Sequence, residues 1–385
     1  MSRQSVPFAL LILFAFLTPA ISAAYIVFGL LAVAWVIQAS REGRLRDSLR
    51  SPYVFLAGLF AMFTLLSAAF SRDPSMSSRH LGGLSLLLLL PLTMDTTDTL
   101  RRARTLALAL SASGGVLAVL GVWQFVHGGN DLENRIRGTL SHYMTFSGLA
   151  MIAACLLLGF ALEGRGAWRL VGLLGVVPLA AVLLTFTRGA YVGMVAASLL
   201  LLGVRRPRGL LWLAPALVLV FFLAPPEIRG RIRSIADLSD RTNRDRIAMV
   251  HAGARMVADD PLFGLGPDMV ERYYPLYRDA DAPRWRVPHL HNNALQIAAS
   301  SGILAAGAYL ALMGLFLART IVLLKNERQP QRAAIWAGVL LAGTAVMVAG
   351  LFEYNFGDTE VEMATLLVLA IPFSRAAAPS ALESP

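Results

Sequence analysis

One cysteine and one lysine are found among 385 residues. The lone Cys155 excludes an intrachain disulfide and any metal site built on several thiolates. With Lys325 as the only lysine, the net charge of +10 rests almost wholly on arginine. Charged residues make up only 15% of the chain, too few for a soluble protein of this length. No phosphate-cradling Walker loop and no dinucleotide fingerprint occurs, which removes the commonest nucleotide chemistries. There is no internal repeat and no low-complexity domain.

What the chain has in abundance is apolar sequence: 56% of residues, with a mean hydropathy of +0.62. Apolar runs near 6–22, 24–39, 53–70, 80–94, 105–126, 140–162, 168–186, 189–204, 209–224, 294–324, 333–352 and 361–374 read as membrane-spanning helices. The fold class is therefore an all-α polytopic integral membrane protein with about twelve transmembrane helices. The first run follows Met1-Ser2-Arg3 like a signal peptide, and with the second it reads as an uncleaved helical hairpin; cleavage near Ala23 is the alternative.

The arginines sit in alternate links. Arg41, Arg44, Arg46 and Arg50; Arg101, Arg102 and Arg104; Arg165 and Arg169; Arg205, Arg206 and Arg208; and Lys325, Arg328 and Arg332 all fall on one side, with Arg3 and Arg375. That pattern makes the side cytoplasmic and argues for lipid headgroups, not nucleic acid, as the partner of the positive charge. Residues 1–224 then hold spans one to nine and 291–375 spans ten to twelve, with a short, disordered cytoplasmic tail at 376–385. The outer side receives 71–79, 127–139, a tight link at 187–189, 353–360, and one large, partly helical loop, 225–290. Within that loop Asn243–Ala258 and Asp268–Arg278 are compatible with helix, separated by the turn sequence DDPLFGLGP at 259–267.

Unusual polar residues gather on the outer face. Arg188 lies in LTFTRGAYVG, a link too short to be solvated, so its guanidinium sits at the hydrocarbon boundary. Either it snorkels or pairs with an acid such as Asp358 or Glu353, or it forms a fixed site for an anionic substrate group. Arg137 precedes a span that keeps Ser141, His142, Tyr143, Thr145 and Ser147; this suits either a cavity-facing helix or an interfacial anchor. Arg246 and Arg286 lie in the large loop. His289 and His291 come just before the tenth span, in VPHLHNNALQ. Pro288 disfavours helix before them, Asn292 or Asn293 can cap the helix after them, and ASSG at 299–302 marks a bend. These histidines are interfacial anchors, or a base working near neutral pH. A metal site would need them to join His142, His251, Asp279 or Asp281, and no compact ligand cluster is visible.

DRIAMVHAGARMVADDPLFGLGP (245–267), followed by HLHNNALQ (289–296), resembles the bacterial O-antigen ligase and polymerase superfamily. RGTLSHYMTFSG (137–148) and TFTRGAYVG (185–193) resemble its arginine-bearing segments, so the likeness spans about the C-terminal two-thirds of the chain. One departure is Val250, where relatives often carry tryptophan. The resemblance implies an inner-membrane glycosyltransferase with a periplasmic site and both termini cytoplasmic. Its donor is a glycan on undecaprenyl diphosphate and its acceptor a lipid A-core hydroxyl. It further implies His291 as base and Arg137, Arg188 and Arg246 on the diphosphate; His289, Arg286 and His142 are candidate supporting residues, and with three arginines on the leaving group neither metal nor other cofactor is expected. A polymerase of the same superfamily is the nearest rival. A protein-glycosylating relative is a second. From another class, a transporter or flippase for an anionic lipid would also use intramembrane arginines, but would place polar residues near the midplane.

Overall fold

The computed structural model describes residues 5–79, 81–128 and 131–377, and every regular element among them is helical. The N-terminal part comprises α1 (Ser5–Leu17), α2 (Ile21–Arg41), α3 (Leu45–Leu49), α4 (Pro52–Ala69), α5 (Pro74–Arg79), a 3-10 stretch Leu81–Leu88 leading into α6 (Leu89–Thr96), and α7 (Leu100–Val126). Next come α8 (Tyr143–Glu163), α9 (Ala167–Leu173), α10 (Val176–Leu184), α11 (Arg188–Arg205) and α12 (Leu210–Leu223). The 225–290 segment carries α13 (Pro226–Arg233), α14 (Arg241–Asp259) and α15 (Val270–Tyr277). The chain returns through α16 (Asn293–Asn326), α17 (Pro330–Ala349) and α18 (Thr359–Ala370).

Among the described residues eight helical stretches are long and apolar enough to cross a membrane: α2, α4, α7, α8, α9 with α10, α11, α16 and α17. The other four expected runs are shorter pieces: α1, α6 with its 3-10 lead, α12 and α18. α1 and α2 pack on each other as a hairpin, and α1 also packs on α7, with Leu11, Phe14 and Ala15 wholly buried.

α8 and α17 form the centre, packed on each other and flanked by α7, α11, α16 and α18. Helices in lipid gain little from apolar burial, so close backbone approach matters more. Gly159 and Gly338 provide it: a Cβ on Gly159 would lie 2.3 Å from the amide nitrogen of Gly338. α12 buries none of its residues, and Leu211 and Trp212 are about three-quarters exposed (76% and 75%). Such an apolar surface is stable against hydrocarbon and costly against water.

The links sort into two ends. At one end, Arg44 and Arg375 both pair with buried Asp95, Arg104 stacks on Trp168, and Arg205 joins Glu163 to the carbonyl of Glu327. At the other, Arg72 pairs with Asp260, Arg188 with Asp240, Arg246 with Glu353, and the backbone amide of Asn293 donates to the carbonyl of Gly350. Links within each group contact one another. Arg3 lies outside the described residues, as does the expected tail beyond Ala377. Ala376 and Ala377 are not part of a disordered tail: they are buried, and the amide of Ala376 donates to the carbonyl of Thr97 at 3.2 Å.

The bend expected at ASSG is a break in α16 at Gly302, where φ is +84° and ψ 169°. The DDPLFGLGP turn fills it. Leu265 and Gly266 donate their amides to the carbonyls of Ala299 and Ser300 at 2.9 and 2.8 Å, and Ile303 donates to the carbonyl of Pro261 at 2.8 Å. Backbone groups freed by the break are therefore paired within the protein, the condition for irregular chain beside hydrocarbon.

Candidate functional site

A cavity of about 750 Å³ opens at the end that carries residues 225–290. α8, α11, α14 and α18 begin on its wall, and α16 begins two residues after His291. Helix N-termini bring partial positive charge, although His142, Asp240 and Asp358 already cap the first amides of α8, α14 and α18, and the wall also holds the acids Asp245, Glu353, Asp358 and Glu360. Hydroxyls of Ser141, Thr145, Ser147, Thr187, Thr242 and Thr359 add donors and acceptors.

His291 is held by its neighbours in sequence and by a distant loop. Its φ is +48°, a left-handed conformation costly for a side chain with a Cβ. The two asparagines behind it divide the work. Asn292 caps α16, its Oδ1 accepting from the Leu295 amide at 2.9 Å. Asn293 straps α16 to the link between α17 and α18. Its amide donates to Gly350 O at 2.7 Å, its Nδ2 to Asn355 Oδ1 at 2.7 Å, and its Oδ1 accepts from the Phe356 amide at 3.1 Å. This strap brings Glu353 to His291: Nδ1 lies 2.8 Å from Glu353 Oε2. Arg246 Nη2 donates to the other oxygen of Glu353 at 2.6 Å. Burial pushes the Glu353 carboxyl up. The hydrogen bond to His291, with the charge of Arg246, outweighs it and holds the group below the usual range.

His289 packs its ring 4.3 Å from that of His291. Burial first, then the neighbouring His291, push its pKa down to about 4. His142 caps α8, its Nδ1 accepting from the Met144 amide at 3.2 Å, and burial is the main cause that lowers its pKa. The His289 ring is therefore neutral near pH 7.

The arginines are placed unequally. Arg246, His142, His289 and His291 all line the cavity. Arg188 is buried behind Thr187. It pairs with Asp240 at 3.1 Å, not with Asp358 or Glu353, and donates to Ser234 O and Oγ at 2.7 and 3.1 Å. The Asp240 carboxyl is pushed up by burial, but Arg188 and the first amides of α14 hold it below the usual range. Arg137 is exposed and off the wall, donating to the carbonyl of wall residue Ser141 at 3.3 Å. Arg286 is exposed and does not line the cavity.

Sequence reasoning passed over Arg231, Arg241 and Arg284. Arg231 Nε donates at 2.9 Å to the carbonyl of Phe186, which has φ +56° and aims the Arg188 turn. Arg241 and Arg284 line the cavity, Arg284 pairing with buried Asp245. Loop arginines with no motif gave no signal of this. The sequence offers Glu353 only as a partner for Arg188, because 62 residues separate it from His291. His251 turns to Asp279 at 2.7 Å, away from the paired histidines, and no group of three metal-binding side chains forms among the described residues.

Residues 173–310 match the family model described as O-Antigen ligase. The match includes Arg188, Arg246, His289 and His291 and stops short of Arg137, His142 and Glu353. A comparison with curated proteins finds no match.

Proposed function

We propose that this chain, which carries an O-antigen ligase family domain at residues 173–310, is the ligase itself: a glycosyltransferase moving glycan from undecaprenyl diphosphate to a lipid A-core hydroxyl. The observation that carries the reading is the run His291–Glu353–Arg246 on the cavity wall. An ionised carboxylate only accepts, so Glu353 keeps the imidazole proton on Nδ1 and leaves Nε2 as the acceptor. Nε2 makes no hydrogen bond among the described residues.

In the proposed reaction Nε2 takes the proton of the attacking hydroxyl as its oxygen bonds to the glycosidic carbon. The bond from that carbon to the phosphate oxygen breaks, and its electron pair leaves with the diphosphate. One displacement inverts the carbon. Charge growing on the leaving group meets Arg246 on the wall, Arg188 behind Thr187, Arg137 at the rim and the N-termini of α8, α11 and α14. These fixed cations take the part that a divalent ion plays in many diphosphate-sugar enzymes. His289, neutral, and His142 shape the pocket around the base, and Arg286 supports from outside it. The arginine-rich end then faces the cytoplasm with both termini, and the cavity faces the periplasm across an inner membrane.

The test is reconstitution of the purified chain with undecaprenyl-diphosphate glycan and lipid A-core. Transfer to lipid A-core is expected, and saturating EDTA should leave its rate nearly unchanged. His291→Ala should lower the rate about 10²–10⁴-fold without lowering Tm. Glycan growing only on its own undecaprenyl carrier would reassign the chain as a polymerase. Full activity of His291→Ala, or loss in EDTA with recovery in Mg²⁺ or Mn²⁺, would overturn the mechanism.

A further inference from the structure

A second cavity, about 250 Å³, lies at the opposite end of the bundle from His291. Its walls are the last turn of α8, the turn into α9, the C-terminus of α11 and the link between α16 and α17. Five arginines line it, with Glu163 the only acid. Two of the five are already engaged. Arg205 and Arg206 pair with Glu163 at 3.4 and 3.2 Å, and they also donate to the carbonyls of Leu324, Glu327 and Leu162 at the ends of α16 and α8. Those contacts spend the charge of Glu163 and satisfy helix C-termini, an ordinary structural duty for arginine.

Arg165, Arg169 and Arg328 have no such duty. Arg165 lies in the turn before α9, Arg169 on α9 and Arg328 in the link between α16 and α17; all three are exposed, they line one small cavity, and none has a side-chain hydrogen bond or acidic partner among the described residues. Three like-charged guanidinium groups around one space repel each other, weakly because they are exposed and screened by salt, and an anion among them relieves that repulsion. Guanidinium matches the oxygens of phosphate with paired donors. The surroundings indicate which phosphate. Leu170 and Leu173 on α9 and Leu174 at its C-cap follow Arg169 and are 67%, 54% and 63% exposed. A headgroup among the arginines would place its acyl chains along this apolar face.

We infer that Arg165, Arg169 and Arg328, backed by Arg205 and Arg206, form a phosphate-binding site for the headgroup of an anionic phospholipid. The site is separate from the transfer site and does not depend on the reaction proposed for it. Its chemistry would equally accept free phosphate, so the experiment has an arm for each source.

The purified full-length protein is placed in nanodiscs of phosphatidylcholine alone or with phosphatidylglycerol, and separately in phosphatidylcholine with inorganic phosphate. Phosphatidylglycerol is expected to raise Tm by a few degrees and to slow amide exchange in 164–169 and 326–329 of the unaltered protein. The triple variant Arg165→Gln, Arg169→Gln, Arg328→Gln should lose the rise. Arg41→Gln, Arg46→Gln, Arg50→Gln, which removes equal charge from another exposed cluster at the same end, should keep it. A response to inorganic phosphate of the same size would assign the site to free phosphate. No response to either, no local protection in the unaltered protein, or equal loss in both triple variants would overturn the proposal.

Discussion

Glu353 Oε2 and His291 Nδ1, 2.8 Å apart, hold the imidazole in its orientation, and the proposed mechanism needs that contact to keep its proton on Nδ1. Glu353→Gln keeps the shape and removes the charge, so Nδ1 is no longer obliged to carry the proton and Arg246 loses its counter-charge. The expected result is a fall in kcat of about 10²-fold or more with little change in acceptor KM. Steady-state kinetics on the reconstituted enzyme checks it, and an unaltered kcat would remove Glu353 from the orienting role. Arg188 makes a different kind of demand. It donates from both terminal nitrogens to Ser234 and Asp240, so a single ammonium cannot reproduce its contacts. Arg188→Lys should therefore lose transfer about 10²-fold, close to Arg188→Ala. Were the arginine only an anchor at the lipid boundary, the lysine variant would bind donor and transfer normally.

The element that positions His291 is α16, and its weak point is the break. Gly302 adopts a backbone conformation open essentially to glycine alone, and a Cβ there would lie 2.0 Å from the carbonyl oxygen of Leu262. The turn at 259–267 cannot yield easily, since Ser71 and Ser77 also hold it through the carbonyls of Leu265 and Pro267. Gly302→Ala should cost about 1–3 kcal/mol in backbone strain alone, and more from the clash. A thermal melt would show it as a lowered Tm. A Tm equal to that of the unaltered protein would mean that the turn and helix are not locked together. The same turn explains why DDPLFGLGP reads so clearly in the sequence: it is a structural clasp for the broken helix, not part of the cavity wall.

At the scale of the whole molecule, stability is tied to pH through the site. His289 is held neutral in the fold, its pKa lowered from 6.5 to about 4. An unfolded chain binds that proton more readily, so the contribution is fully present above pH 6.5 and is lost as pH falls from 6.5 to about 4. Glu353, also lowered, acts in the same direction on the acid side. The expected outcome is a Tm that drops on acidification through this window, with a shallower slope in His289→Asn. Equal slopes in the two proteins, measured at matched detergent and salt, would show that His289 is not a source of the acid sensitivity.

Much of the architecture was readable in advance because it depends on composition along the chain. Apolar run length picks out the eight helical stretches long and apolar enough to cross a membrane, and α14 and α15 lie within two residues of the helical stretches read from 225–290. The bend at Gly302 was visible too, as small and polar residues inside an apolar run. The pairings of the site were not. Glu353 meets His291 because Asn293 straps two helices together, and Arg188 meets Asp240 because α13 and α14 fold back over the hairpin. Periodicity and charge report on the surroundings of a segment as a whole. Which acid faces which base depends on side-chain distances of a few ångströms between elements tens of residues apart, and packing alone sets those.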